Sequence, residues 1–232
     1  MSAIFITGVN SGIGNALTKA YLKKGATVYG IGKRSTAVHS EKNFRYLSLD
    51  LRAHETIPIR LRTFLQEVRS FDIAILNAGI LGEIKEMTDT ALYEIEDVMA
   101  VNVWANKVII DTLNEMQIGL GQIVGISSGA AVNASKGWGS YSLSKSALNM
   151  LLKLYSREMP ATHITALAPG VIDTPMVRHI TEAVDPVKYP SAKRLKEGPI
   201  LKPESAAQRL IEAFEKVKKY ESGSFLDIRT MK

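Results

Sequence analysis

The sequence predicts an α/β fold: a doubly wound parallel sheet, covered by helices on both faces, in a single domain over residues 1–232. Three observations predict it. Short apolar runs alternate with amphipathic segments along the chain, the pattern of strands buried on both faces and joined by crossover helices. A glycine-rich turn sits at the first strand-to-helix junction. The apolar runs end in small, polar or charged residues, which gather on one edge because parallel strands point the same way.

Residues 3–6 form the first strand. Thr-Gly-Val-Asn-Ser-Gly-Ile-Gly follows at 7–14, then a helix carried by Ala16, Leu17, Ala20 and Tyr21. Glycine at 8, 12 and 14 lets this turn, with Asn10, Ser11 and Ile13, approach a pyrophosphate at the helix N-terminus. The second strand, residues 27–31, ends in Gly32-Lys33-Arg34. An NAD site wants an acid there for the ribose hydroxyls. Two cations suit a 2′-phosphate instead, which favours NADP(H) and leaves NAD(H) possible.

The third strand, residues 44–49, leads into Asp50 and Leu51. Pro58 starts a helix through Leu61, Phe64, Leu65 and Val68. Residues 72–76 are a fourth strand, apolar after Asp72, closed by Asn77-Ala78-Gly79, small residues suited to a turn beside a ligand. Thr88 or Asp89 caps a long helix carrying Val98, Val101, Asn102 and Val108. Asn102 stands among apolar neighbours, and a buried amide needs partners. Residues 122–126 are the fifth strand, ended by Ser127-Ser128-Gly129. Residues 164–168 are the sixth, ended by Pro169-Gly170. Thr174 and Pro175 read as an N-cap and a first helical residue. Residues 176–200 hold Pro186, Pro190 and Pro199 without a clean period, as a mobile segment with short helices would. Pro203 opens the last helix, and residues 224–226 are a final strand.

Between the fifth and sixth strands, residues 137–145 read Gly-Trp-Gly-Ser-Tyr-Ser-Leu-Ser-Lys. Tyr141 and Lys145 are one helical turn apart and share a face. A phenol ionises near pH ~10, and a neighbouring ammonium lowers that value. Bringing it near neutrality takes about 4 kcal/mol. Such a phenol can give or take a proton at a carbonyl or alcohol oxygen.

Composition narrows the classes. With no cysteine, disulfides, thiolate metal sites and thiol catalysis are excluded, as fits a reducing cytoplasm. The histidines at 39, 54, 163 and 179 lack metal-ligand spacing, so no metal is expected. No run is long enough to span a membrane, and the N-terminus does not read as a signal peptide. The net charge of +6 suits an anionic ligand or a solvated surface, and no basic run with interleaved aromatics points to nucleic acid.

The combined pattern resembles the short-chain dehydrogenase/reductase family over nearly the whole chain. It is carried by Thr7-Gly8-x-x-x-Gly12-Ile13-Gly14, Asn77-Ala78-Gly79, Asn102, Ser128, Tyr141-x-x-x-Lys145 and Pro169-Gly170-x-x-x-Thr174. The resemblance implies a Rossmann-type sheet of about seven strands and hydride transfer between a nicotinamide and a carbonyl or alcohol. It implies Tyr141 as general acid/base and Ser128 as holder of the substrate oxygen. Lys145 would lower the tyrosine pKa and bind the nicotinamide ribose, and Asn102 would hold a water in a proton relay to Lys145. The cofactor would lie along Gly8–Gly14, Lys33, Arg34, Asp50, Leu51, Asn77–Gly79, Tyr141, Lys145, Pro169, Gly170, Val171 and Thr174. Ser11 departs from the cation that NADP-preferring members often carry before the second glycine. The tail, Leu226-Asp227-Ile228-Arg229, lacks the paired glycines common near the family's end.

Within the family the chain is most similar to sepiapterin and benzil reductases, through Ser127-Ser128-Gly129-Ala130, Gly137-Trp138 and residues 168–176. The expected activity is NADPH-dependent reduction of a small-molecule carbonyl, a dicarbonyl or a pterin side chain. Ser128, Ala130, Trp138, Tyr141 and Met176 would form an apolar pocket under a lid at 176–200, with Asp227 a candidate for a pterin amine. The alternatives are an NAD-linked alcohol dehydrogenase and a non-catalytic NADP(H)-sensing protein. Family members usually pair through the helix around Asn102 and the helix after Tyr141. A cytoplasmic homodimer or homotetramer is therefore expected, with Leu148, Leu151, Leu152 and Tyr155 at the contact.

Overall fold

A computed structural model of the chain describes residues 2–34 and 41–231. Seven strands form one sheet: β1 (Ala3–Thr7), β2 (Thr27–Gly32), β3 (Phe44–Ser48), β4 (Ile73–Leu76), β5 (Gln122–Ile126), β6 (His163–Ala168) and β7 (Phe225–Asp227). All pair in parallel, in the order β3-β2-β1-β4-β5-β6-β7. The order reverses between β1 and β4, and in open α/β sheets a ligand crevice opens beyond that point.

Among the described residues, eight α-helices accompany the sheet: α1 (Gly12–Lys23), α2 (Thr56–Phe64), α3 (Leu92–Met99), α4 (Ala105–Glu115), α5 (Gly139–Glu158), α6 (Pro175–Ala183), α7 (Pro190–Glu197) and α8 (Pro203–Lys216). Strand alternation divides the core. Ile4 and Ile6 of β1 pack on one side with Leu17 and Tyr21 of α1 and Leu210 and Phe214 of α8. Phe5 packs on the other with Leu61 of α2, Ile109 of α4, and Leu148 and Leu152 of α5. This is the period-2 geometry of a strand buried on both faces.

Several boundaries differ from the sequence reading, each for a local reason. Helix α2 starts at Thr56, so Pro58 lies inside the first turn, where an N–H has no intrahelical acceptor and its loss is harmless. The helix stops at Phe64, short of Val68. Thr88 and Asp89 form a 3₁₀ turn, Met87–Asp89, and cap nothing. Helix α3 begins four residues further on, and the Glu94 carboxylate reaches back to accept the Ala91 N–H at 2.8 Å. Between α3 and α4 the backbone opens into a π-helical segment, Ala100–Trp104. Ser70–Phe71 and Gly119–Leu120 add a separate two-stranded parallel pair, too short to show a period in sequence.

One further expectation changes. Leu148 and Leu152 are buried in the core and cannot form a contact surface. The exposed apolar positions of α5 are Leu143, Met150 and Leu154, seven and four residues apart and so on one face. The short helices expected in residues 176–200 are present as α6 and α7, each opened by a proline at its N-terminus. No helix among the described residues is long and apolar enough to cross a membrane.

Candidate active site

The glycine turn follows β1. Gly8 and Gly12 have φ of +76° and +53°, a region that favours glycine. Gly14 serves packing: a Cβ there would stand 2.2 Å from the Gly8 carbonyl oxygen. Thr7 Oγ1 accepts the backbone N–H groups of Asn77 and Ala78, both at 3.0 Å. Asn77 Nδ2 donates to the carbonyls of Thr7 at 2.9 Å and Gly8 at 3.3 Å. The turn is thus tied to the end of β4. Ser11 caps α1 without a side-chain bond to its first-turn amides, and Ser11, Gly12 and Ile13 line a cleft of 470 Å³. Amides free at a helix N-terminus and a backbone bare of side chains fit a pyrophosphate.

At the end of β2 the space beside Gly32 belongs to Asn10. A Cβ on Gly32 would lie 2.1 Å from Asn10 Oδ1. The Asn10 amide donates to the Arg34 carbonyl and accepts the Arg34 N–H at 3.1 Å. Asn10 therefore occupies the place where an NAD-selecting acid would project. Lys33 lines the cleft and pairs with Asp50 at 2.7 Å, which holds that carboxyl below the usual carboxylate range. The Arg34 side chain does not line the cleft. Arg52, which the sequence reading missed, does; Asp97 holds it through bonds of 2.5 and 2.9 Å.

The floor lies between β4, β5 and α5. Tyr141, Lys145 and Ser144 are buried on the inward face of α5. Ser128 lies beside the Tyr141 phenol, near enough to work against its desolvation, and its Oγ accepts the Ala130 N–H at 3.1 Å. Ser127 turns away and donates to Asn149 Oδ1 at 2.6 Å. Lys145 Nζ donates to the Ile126 carbonyl at 2.7 Å and stands 5.6 Å from the centre of the Tyr141 ring. An ammonium has three protons, so two are left without a protein acceptor among the described residues, and Lys145 lines the cleft. Gly79 keeps that region open, since a Cβ there would come within 3.5 Å of Lys145 Nζ.

The electrostatics correct one expectation. Burial pushes the Tyr141 phenol up to about 12, while the neighbouring Ser128 works in the opposite direction. Burial pulls the Lys145 ammonium down to about 8. Desolvation penalises both charged forms, and here it outweighs the expected lowering of the phenol by Lys145.

Asn102 lies in the π segment and is fully buried. Its Oδ1 accepts the Ile80 N–H at 2.8 Å, and its Nδ2 donates to the Ile80 carbonyl and to Ser144 Oγ, both at 2.9 Å. Ser144 Oγ donates to the Tyr141 carbonyl at 2.7 Å. The Asn102 carbonyl accepts from Asn106 Nδ2 at 2.8 Å. Both side-chain amide protons are therefore committed, and the side chain clamps the loop after β4 to the turn of α5 that carries Tyr141.

Over the floor, Trp138 packs edge-on to Tyr141 with ring centres 6.1 Å apart. Its Nε1 donates to Ser191 Oγ of α7 at 2.5 Å. Leu81, Trp138, Tyr141, Ile180 and Tyr189 form an apolar cluster with Ala130, Met176 and Leu195 against it, so α6 and α7 close one wall. Pro169, Gly170, Val171, Thr174 and Met176 line the cleft. Thr174 caps α6 by accepting the Val177 N–H at 3.3 Å. A second chamber of 600 Å³ opens from Ser128, Ala130 and Trp138 towards the C-terminal tail. Asp227 lines neither space: its carboxylate grips Arg229, with bonds of 2.9 and 2.6 Å, and so is not placed to meet a pterin amine.

The cleft thus gathers Gly8, Asn10, Ser11, Gly12, Ile13, Lys33, Asp50, Leu51, Asn77–Gly79, Ser128, Trp138, Tyr141, Lys145, Pro169–Val171, Thr174 and Met176. Gly14, Arg34 and Asn102 stand outside it. Among the described residues no cluster of His, Asp or Glu could hold a metal ion; His39 lies outside those residues.

Comparison with known proteins points the same way. Residues 2–185 match the short chain dehydrogenase family. The chain is 29% identical to the benzil reductase ((S)-benzoin forming) of Bacillus subtilis (strain 168), across 99% of each chain. It is 27% identical to the NADPH-dependent pterin aldehyde reductase of Arabidopsis thaliana, across 75% of this chain and 76% of that one. The solved structure of YIR035C from Saccharomyces cerevisiae superposes with a TM-score of 0.85 at 22% identity, covering 98% of this chain and 96% of that one. A short chain dehydrogenase from Escherichia coli CFT073, complexed with NADPH, superposes at 0.81 and 22% identity, with coverage of 98% and 96%. The two structures share the fold.

Burial of Lys145 has a measurable consequence. Its folded value of about 8 lies below the ordinary 10.5 of an unfolded lysine. Between those values the unfolded chain binds more protons, so stability rises with pH there. The cost of the buried ammonium is complete below about pH 8 and is relieved as pH approaches ~10.5. Lys145→Met lacks this titration. In urea denaturation, wild type should gain up to about 3 kcal/mol on the variant across that window. A pH-independent difference would show that Lys145 is not desolvated.

Proposed function

The chain belongs to the short-chain dehydrogenase family, and from that premise we propose that it is an NADPH-dependent carbonyl reductase acting on a ketone of the dicarbonyl or pterin side-chain type. The observation that carries this reading is the convergence of Ser128, Tyr141 and Lys145 on the floor of the glycine-lined cleft. The cleft residues fit a dinucleotide: Gly8–Ile13 would take the pyrophosphate, Asn77–Gly79 and Lys145 the nicotinamide half, Lys33 and Arg52 the adenosine end. When bound, a nicotinamide nucleotide supplies the hydride.

The protein's own groups supply the proton. Ser128 donates a hydrogen bond to the substrate oxygen and so fixes the carbonyl. Tyr141 gives its phenolic proton to that oxygen. A phenol pushed up to about 12 is protonated at neutral pH, the form that carbonyl reduction needs and alcohol oxidation does not. The phenolate left behind forms beside the Lys145 ammonium, which stabilises it. Asn102 acts as a positioning residue, holding Ser144 and the Tyr141 turn. Helices α6 and α7 exclude water from the pocket as a lid. Relatives named as a benzil reductase and a pterin aldehyde reductase support the substrate class. The reading is of a cytoplasmic enzyme.

Loss of NADPH absorbance with benzil, a small aliphatic diketone or sepiapterin tests this function, with an acetoacetyl thioester and a sugar ketone as contrasts. Tyr141→Phe keeps the ring and its packing, so NADPH should still bind while turnover falls about 10²–10⁴-fold. A variant retaining more than about half the wild-type rate would remove Tyr141 from the proton step. A thioester or sugar preferred about tenfold over every dicarbonyl and pterin would reject the substrate class.

For the cofactor, Gly32 with Asn10 in the acid's place favours NADP(H). The Lys33–Asp50 pair favours the second reading, an NAD-linked dehydrogenase, because that cation already has a partner. Lys33→Ala decides between them by calorimetry. The NADPH dissociation constant should rise at least about tenfold with NADH little changed. Equal changes for both would favour NAD.

Leu143, Met150 and Leu154 of α5 and Trp104 at the end of the π segment are exposed apolar residues. We propose that a second copy covers them in a homodimer or homotetramer. Light scattering at micromolar concentration should give a multiple of the chain mass, and Met150→Glu with Leu154→Glu should lower it. A monomeric wild type would reject the assembly.

A further inference from the structure

The chamber beyond Ser128 has a chemistry of its own. It shares Ser128, Trp138 and Pro169 with the cleft, then runs the other way, between α7, α8 and the tail after β7. One arginine reaches it from each of these elements: Arg194 from α7, Arg209 from α8 and Arg229 from the tail. No aspartate or glutamate lines it.

The three cations differ in how they are held. Arg229 is fixed by Asp227, which takes its Nε at 2.9 Å, its Nη2 at 2.6 Å and its backbone N–H at 2.9 Å. That grip brings Nη2 within 3.6 Å of where a Cβ on Gly129 would stand, beside the residue that follows Ser128. Arg194 and Arg209 form no salt bridge among the described residues. Counting Asp227, the surroundings keep an excess of two positive charges, around a concave space that concentrates their field. Guanidinium groups present paired donors matched to carboxylate and phosphate oxygens.

We propose that this chamber holds an anionic group, a carboxylate or a phosphate ester, carried by the substrate whose carbonyl sits at Ser128 and Tyr141. The inference rests on the carbonyl-reductase reading for the position of the reacting carbonyl. It deepens that reading: the dicarbonyl or pterin-type ketone also bears a carboxylate or a phosphate ester, with its carbonyl in the apolar part of the pocket and its charge at the arginines. Arg194 belongs to α7, whose Ser191 holds Trp138, so an anion there also draws the lid wall against the substrate.

The test uses three probes of one framework: benzil, benzil with a para-carboxylate and benzil with a para-phosphate ester. Calorimetry on the NADP⁺-loaded protein reads binding without turnover. At least one anionic probe should bind about tenfold more tightly than benzil. That advantage should shrink when salt rises from about 50 to about 500 mM. The double variant Arg194→Gln, Arg209→Gln should lose at least about tenfold more affinity for the anionic probe than for benzil, and the corresponding double lysine variant should recover part of it. The tighter of the two anionic probes identifies the charged group. Equal binding of all three by wild type would overturn the proposal, as would parallel losses in the glutamine variant or failure of all three to bind. If the anionic advantage holds but no probe is reduced with NADPH or NADH, the carbonyl-reductase reading fails and the anion chamber stands.

Discussion

The contact between the glycine turn and the end of β4 is the constraint on which the rest depends. Thr7 receives two amides from Asn77 and Ala78, and Asn77 returns two bonds to the turn. Gly14 lets α1 close on Gly8 with no side chain between them. These bonds join β1 to β4 where the strand order reverses, so they define the crevice. Every later strand end then delivers its residues to the same edge: Asp50 from β3, Ser128 from β5, Pro169 and Gly170 from β6.

Helix α5 links that edge to the core. Its C-terminal half drives Leu148 and Leu152 into the sheet, while its first turns present Tyr141 and Lys145 to the cleft. The same burial that stabilises the helix sets the chemistry. It strips water from both groups, raising the phenol and lowering the ammonium. A π segment in the neighbouring helix brings Asn102 between Ile80 and Ser144, so backbone irregularity supports the reactive turn.

The two chambers divide recognition between opposite ends of one serine. The cleft combines the bare backbone of the glycine turn with apolar side chains around Tyr141, and carries Lys33 and Arg52 near the strand ends of β2 and β3. The second chamber is bounded by the lid and the tail, and its charges are arginines alone. Trp138 stands between them, pinned to α7 by Ser191, so lid position and the aromatic wall beside Tyr141 are mechanically joined.

The sequence by itself determined the sheet and its ligand edge. Alternating apolar runs specify strands buried on both faces, and the glycine spacing and the Tyr141–Lys145 spacing are local properties that one turn of backbone carries. Short-range signals failed where a neighbour decides the outcome. Whether Leu148 or Leu154 faces solvent depends on what packs on α5. Whether Lys33 meets a phosphate or Asp50 depends on a strand end seventeen residues away. The tertiary structure alone decided that Asn102 is a clamp, that Asp227 serves Arg229, that Arg52 reaches the cleft, and that three arginines from separate elements surround one space. Those are long-range juxtapositions, set by packing and desolvation across the fold, and no period or motif in the chain encodes them locally.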